Sequence, residues 1–344
     1  MSSLLLAPGY LTRLGSLAQI TTFYLDGIDI LADKIGQFPS WKPYRVVRTA
    51  SEAADRQYHL IICAFKALPD VITTPDITQP LLHNTDTFVL IQNGIDIHRD
   101  LRKARPDADI ISCCAWVDAT PLNGGKAVEQ TGPDKLSSGL HADASPSKPS
   151  EERGRKALQT FHDILIAGGA GSEIVDNIDA ARWRKVLWCV IHLTSASHLD
   201  SVGGRGARNV TFSTLCTVLR VPVADLLSKR VLANVLPTIR GMMSEVIAVA
   251  RSLGIEEAQL PEAAAEAVIQ SCMNLYSDER TENPSQFKPS MLVDLEAGRP
   301  MEIEPIVGAI IRSAAEHGVA TPRLDTVYAQ LKVLQEQLIR RKIT

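Results

Sequence analysis

The densest run of reactive side chains lies near the C-terminal end, in Lys288-Pro289-Ser290-Met291-Leu292-Val293-Asp294-Leu295-Glu296-Ala297-Gly298-Arg299-Pro300-Met301-Glu302-Ile303-Glu304. Met291, Leu292 and Leu295 fall at helical spacing, with a hydroxyl, carboxylates and a guanidinium among and just beyond them, so a packed helix presents polar chemistry along one edge. Gly298-Arg299-Pro300 stops that helix. The stop leaves Glu302 just past the break, where the chain can fold back toward a cleft. A solvated helix mixes its charges loosely, whereas Ser290 and Glu302 bracketing one short helix point to a ligand-facing edge.

The segment resembles the C-terminal signature of the ketopantoate reductases (2-dehydropantoate 2-reductases): Ser-Met-Leu-x-Asp, a spacer, Arg, then Glu-Ile-Asp/Glu-x-Ile-x-Gly, here Ser290 to Gly308. The likeness continues through Glu316-His317-Gly318-Val319-Ala320-Thr321-Pro322 and extends more weakly over nearly the whole chain. It implies reduction of a 2-oxo acid or related carbonyl with NADPH, Ser290 bonding the substrate carboxylate and Asp294 and Arg299 supporting it. Ala181-Arg182-Trp183-Arg184-Lys185-Val186-Leu187-Trp188-Cys189 resembles the family's Trp-x-Lys-x-x-x-Asn. In that motif the lysine is the general acid, so the resemblance makes Lys185 the proton donor and Glu302 the carboxylate that holds it. An ammonium near a carboxylate can polarise a ketone and protonate its oxygen. Cys63-Ala64-Phe65-Lys66-Ala67 and Gln92-Asn93-Gly94 resemble two further family segments, which implies Lys66 facing the cofactor phosphates and Asn93 beside nicotinamide and substrate, with Glu302 also on the cofactor side. Polar residues at the ends of parallel strands are where open α/β sheets place ligands.

Departures from the pattern are specific. Cys189, Leu193 and Val307 stand where the family has asparagines, and a thiol at the substrate-facing Cys189 replaces an amide donor poorly. His192, at i+7 from Lys185, is a substitute polar group or an ordinary structural histidine. A less polar pocket suggests a larger or more apolar ligand than ketopantoate. The chain shows no Gly-x-Gly-x-x-Gly after a first strand; Leu4 to Leu11 resembles the family's second strand and turn, with Pro8 at the position of the NADP-selecting arginine. Two readings therefore stand: an NADPH-dependent reductase with altered specificity, or a cofactor-free cyclase, isomerase or binding protein on the same fold. A misplaced start codon is a third account of the same observation.

Behind these residues, apolar runs at Leu4–Ala7, Tyr44–Arg48, His59–Phe65, Phe88–Gln92, Ile110–Val117 and Glu173–Val175 read as strands, alternating with helix-compatible stretches. Pro121–Ser150, rich in Gly, Ser, Pro and Lys, reads as a surface excursion or flap. From Asn177 onward the pattern is helical, over Val223–Ala233, Leu236–Leu253, Glu262–Met273, Ile303–Glu316 and Leu324–Arg340. The expected class is α/β: an incomplete Rossmann-like domain over 1–177, an all-α substrate and catalytic domain over 178–344, and a cleft between them. A net charge of −3 gives no basic footprint for nucleic acid, so the expected partner is a small carbonyl or carboxylic acid. Six cysteines without metal-ligand spacing predict buried reduced thiols in the cytoplasm and no metal. No apolar run reaches the roughly 18–20 residues of a membrane span, and the leucine-rich C-terminal helices are compatible with a homodimer.

Overall fold

The computed structural model describes residues 5–7, 27–141, 148–187, 210–276 and 285–343. In its first half, β1 (Leu5–Ala7), β2 (Ile28–Ala32), β3 (Gly36–Trp41), α1 (Ala50–Ala53), β4 (Ile61–Cys63), α2 (Thr74–Thr78), β5 (Thr87–Leu90), α3 (Arg99–Ala104), β6 (Asp109–Leu122), β7 (Ala127–Leu140), α4 (Lys148–Ala167) and β8 (Gly171–Ile174) build one mixed sheet. Its order is β1-β4-β5-β6-β7-β2-β3, with β8 also paired to β7. The β1-β4-β5-β6 portion is parallel.

The apolar runs work as double-faced strands. Ile61, Cys63, Phe88, Leu90 and Ile110 pack on one face with Ala53 and Leu101. Leu60, Ile62, Val89, Ile111 and Cys113 pack on the other with Leu158 and Phe161 of α4. Alternation along each strand sends neighbours to opposite faces, so a continuous apolar run fits only a sheet covered on both sides. This is the α/β, Rossmann-like half.

Two expectations are corrected here. Pro121–Ser150 is no flap over most of its length: 127–140 is β7, hydrogen-bonded antiparallel to β6 from Leu122↔Ala127 to Ile111↔Leu140. Its Gly, Pro and Lys disfavour strand, but a long ladder supplied by β6 outweighs weak local preference. Tyr44–Arg48 is not a strand; the nearby strands are the β2–β3 hairpin, whose polar outer strand carried no apolar alternation to find.

The second half is helical: α5 (Ile178–Leu187), α6 (Val210–Leu219), α7 (Val223–Leu226), α8 (Leu232–Ser252), α9 (Ala263–Tyr276), α10 (Ser290–Glu296), a π turn (Glu304–Gly308), α11 (Ala309–Glu316) and α12 (Pro322–Ile343). Sheet gives way to helix between β8 and α5, which motivates the proposed domain division at residue 178. α8 is long and apolar enough to cross a membrane, with a mean hydropathy of 1.2, against the expectation that no run would qualify. Its Ile239, Met242, Met243, Val246 and Val249 are wholly buried in the helical core, which accounts for that composition. Ile95, from the loop after β5, belongs to the same core and joins the two halves.

Candidate active site

Three short segments meet where the halves join: the loop after β4, the turn after β5, and the stretch from α10 to the π turn. α10 ends as its sequence predicts, with Gly298 at φ 68 and the Arg299 amide donating to the Asp294 carbonyl at 2.8 Å. That reversal aims Met301 and Glu302 back at the sheet. Gln335 of α12 fixes the strap by accepting from the Met301 amide at 2.9 Å and donating to its carbonyl at 3.1 Å.

Glu302 is the centre of the cluster. Its carboxylate accepts from the backbone amide of Ala67 at 3.2 Å and from the side-chain amide of Asn93 at 3.5 Å. Burial raises its pKa above the ordinary 4.5 of a glutamate; Lys66, Asn93 and the Ala67 amide oppose the rise, and Asp294 adds to it. Beside it, Lys66 donates to Asp294, whose second oxygen accepts from Arg299 Nε at 3.0 Å. Asp294 is 3% exposed and has both oxygens engaged, by Lys66 and Arg299. Ser290 opens α10, half-buried and one turn ahead of Asp294 on the same face.

Asn93 is placed by two devices. The Ile95 amide donates to the Pro305 carbonyl at 2.7 Å, clamping the turn onto the π turn. Gly94 has φ +99, and a Cβ there would lie 2.4 Å from the Pro305 carbonyl oxygen, so no other residue fits. Gly94→Ala is expected to destabilise the protein by about 1–3 kcal/mol and to displace Asn93; thermal melts together with cofactor titration check both effects.

The second device was not foreseen. Arg182 of α5, 1% exposed, donates to the carbonyls of Gln92 at 3.0 Å and Gly94 at 2.8 Å, on either side of Asn93, and to Ser112 Oγ at 2.6 Å. The available signal was its position three residues before Lys185, which puts both on one helix face.

Lys185 is buried and donates to the Ala115 carbonyl at 2.9 Å, with its ammonium 5.8 Å from the centre of the Trp116 ring. The expected grip of Glu302 on Lys185 is not made. Glu302 faces Asn93 and the Ala67 amide instead, while Lys185 is held against β6 and its helix neighbour Arg182 grips the turn on either side of Asn93. Lys66, Asn93, Asp294 and Glu302 are thus brought together, and Lys185 lies against β6 on α5. Cys189, His192 and Leu193 lie outside the described residues. Val307 is wholly buried in the helical core, so its replacement of an amide alters packing there.

A further network backs the strap. Glu304 accepts from Tyr328 at 2.8 Å, Lys332 at 2.8 Å and Arg312 at 2.6 Å, and Lys332 also reaches Asp70 of the loop after β4 at 3.4 Å. α12 therefore holds both sides of the cleft.

The arrangement offers a cation at a strand end, a half-exposed amide in a glycine turn and a buried carboxylate, on loops at the sheet's edge. A phosphate-bearing nicotinamide cofactor fits that donor set: Lys66 would meet a phosphate and Asn93 the nicotinamide side.

Comparison with known proteins agrees. Residues 14–143 match the family model described as Ketopantoate reductase PanE/ApbA, and residues 177–335 match Ketopantoate reductase PanE/ApbA C terminal. A 2-dehydropantoate 2-reductase of Mesorhizobium japonicum is 26% identical, over 92% of this chain and 87% of that one. The crystal structure of 2-dehydropantoate 2-reductase from Methylococcus capsulatus superposes with a TM-score of 0.66 at 27% identity, covering 93% of this chain and 88% of that chain. A ternary structure of D-mandelate dehydrogenase with NADH and anilino(oxo)acetate shares the fold, with a TM-score of 0.64 at 23% identity over 94% of this chain and 90% of that one.

Proposed function

Because this chain belongs to the ketopantoate reductase family of oxidoreductases, we propose that it is a cytoplasmic reductase that uses NADPH to convert a 2-oxo acid or related carbonyl to its hydroxy acid. The observation that carries the reading is the buried Glu302 carboxylate meeting the Asn93 amide across the cleft, with Lys66 alongside. Nicotinamide cofactors supply a hydride to the carbonyl carbon. The chain's own part is to orient the carbonyl, stabilise charge on its oxygen and deliver a proton to it.

Lys185 is assigned the proton, Asn93 and Ser290 the orientation of the substrate, and Lys66 a cofactor phosphate. Cys189 is assigned to the substrate pocket on the resemblance alone. Lys66 is engaged by Asp294, so binding a phosphate exchanges one anionic partner for another. The free, buried cysteines Cys63, Cys113, Cys114, Cys216 and Cys272 support a reducing compartment. Light scattering on the purified chain tests the homodimer with which the leucine-rich C-terminal helices are compatible.

Glu302 sets a pH expectation. Its raised pKa means that it takes up a proton at a pH above the ordinary glutamate value, and the fold gains stability as pH falls through that point. If the reaction uses the carboxylate, the acid limb of kcat/KM lies above pH 4.5. Glu302→Gln is expected to remove that limb and lower kcat/KM by about 10²-fold or more. An unchanged profile in the variant contradicts the assignment.

Titration of the full chain with NADPH, followed by turnover with a panel of 2-oxo acids, tests the function. Saturable cofactor binding with carbonyl-dependent oxidation supports it. Turnover or ligand binding with no nicotinamide requirement supports the cofactor-free reading instead.

A further inference from the structure

Away from the cleft, three side chains from separate elements converge beneath the first turn of α5. His98 comes from the loop before α3, His141 follows β7 directly, and Asp179 lies in the first turn of α5. The two imidazoles stack with centroids 3.6 Å apart and planes 20° from parallel. His141 is 4% exposed, yet its Nε2 has no hydrogen-bond partner, and neither has the buried Nδ1 of His98. Buried polar atoms left unpaired cost about 1–3 kcal/mol each, so two in one cluster call for an explanation.

The separations suggest one. His141 Nδ1, the ring nitrogen opposite the unpaired Nε2, lies 3.5 Å from Asp179 Oδ1, too far for a strong hydrogen bond. It is close to the ~3.3–3.5 Å between two ligands that each bind a tetrahedral ion at ~2.0–2.1 Å. One donor atom from each of the three residues can be chosen so that all lie within 4.8 Å of one another. We propose that His98, His141 and Asp179 form a binding site for a divalent transition-metal ion of the zinc type, taking one donor atom from each residue.

The ligand types suit such an ion, since neutral imidazole and carboxylate are among its ordinary donors. Asp179 is 62% exposed on its side chain, which gives an ion a path in and leaves a position for water. Closing on the ion requires the two rings to splay from their stack by side-chain rotation. Arg182, Arg99 and Arg102 oppose a cation here and Asp179 and Asp96 offset them, so the affinity expected is moderate, on the order of micromolar.

The site would join the loop beyond Asn93, the end of β7 and the start of α5, the helix that carries Arg182 and Lys185. Occupancy would therefore brace the helix that positions the proposed acid. The ion takes no part in the reaction, and the site stands whether or not the chain reduces 2-oxo acids.

Cobalt(II), a coloured stand-in for zinc, is titrated into the metal-free full-length protein, with zinc binding and thermal melts measured in parallel. The expected result is one equivalent of Co²⁺ giving visible d–d absorption without a thiolate charge-transfer band, displacement of cobalt by Zn²⁺, and a higher melting temperature with zinc. His98→Leu and His141→Leu should abolish the spectrum. Asp179→Asn, a surface change that spares the core, should weaken binding at least about 10-fold. No saturable Co²⁺ or Zn²⁺ binding by the folded wild type, or wild-type affinity in any one of the three variants, overturns the proposal. If the leucine variants do not fold, the Asp179→Asn titration decides it.

Discussion

Lys185→Met is expected to lower kcat for carbonyl reduction by about 10²–10⁴-fold, the range typical of a lost general acid, while cofactor affinity changes little. The ammonium is buried and held on the Ala115 carbonyl over Trp116, and α5 is fixed one turn earlier by Arg182, so the group has a defined position. A ketone oxygen that gains charge as hydride arrives needs a proton there, and methionine fills the space without supplying one. The loss should appear in kcat and in kcat/KM together, as for an interaction made mainly in the transition state. A variant that keeps full kcat and shows only a raised KM would reduce Lys185 to a binding group.

The second large effect is on the fold. Arg182→Met should destabilise the protein by about 3 kcal/mol or more, since several buried acceptors lose their donor at about 1–3 kcal/mol each. The carbonyls of Gln92 and Gly94 and the hydroxyl of Ser112 would lose a donor where water is scarce. Because those carbonyls flank Asn93, substrate binding should fail along with stability. Arg182→Lys keeps the charge but cannot fork across three acceptors, so it should fall between the two. Thermal and denaturant melts measure the ranking. A methionine variant that melts with the wild type would mean that the turn is held by its backbone contact with Pro305 alone.

These two residues illustrate what the sequence could and could not reveal. The α10 stop and the strap that carries Glu302 were legible because glycine and proline end the helix at fixed spacing, whereas the role given to Lys185 came from a short motif alone. The runs at Ile61–Cys63 and Thr87–Leu90 were legible because strands buried on both faces need continuous apolar character. The pairing of Asn93 with Glu302 crosses 209 residues, and that of Lys66 with Asp294 crosses 228. Spacing carries no information over such distances, which is why Glu302 was assigned to Lys185 when the structure gives it to Asn93. β7 was missed for a different reason: its Gly, Pro and charged residues are poor strand formers, and its hydrogen-bonding partner β6 decides its conformation. The His98, His141 and Asp179 cluster draws one residue from each of three elements, so no ligand spacing exists to be read.

The proposed reaction is hydride transfer from NADPH to a carbonyl held in the cleft, with Lys185 supplying the proton. The most direct measurement is NADPH oxidation by the full-length protein with a panel of 2-oxo acids, wild type beside Lys185→Met, with the organic product identified. The wild type is expected to consume one NADPH for each 2-hydroxy acid formed, and the variant to bind NADPH but turn over at least about 10²-fold more slowly. Saturable NADPH binding with no carbonyl-dependent oxidation across the panel, or a variant as fast as the wild type, would contradict it.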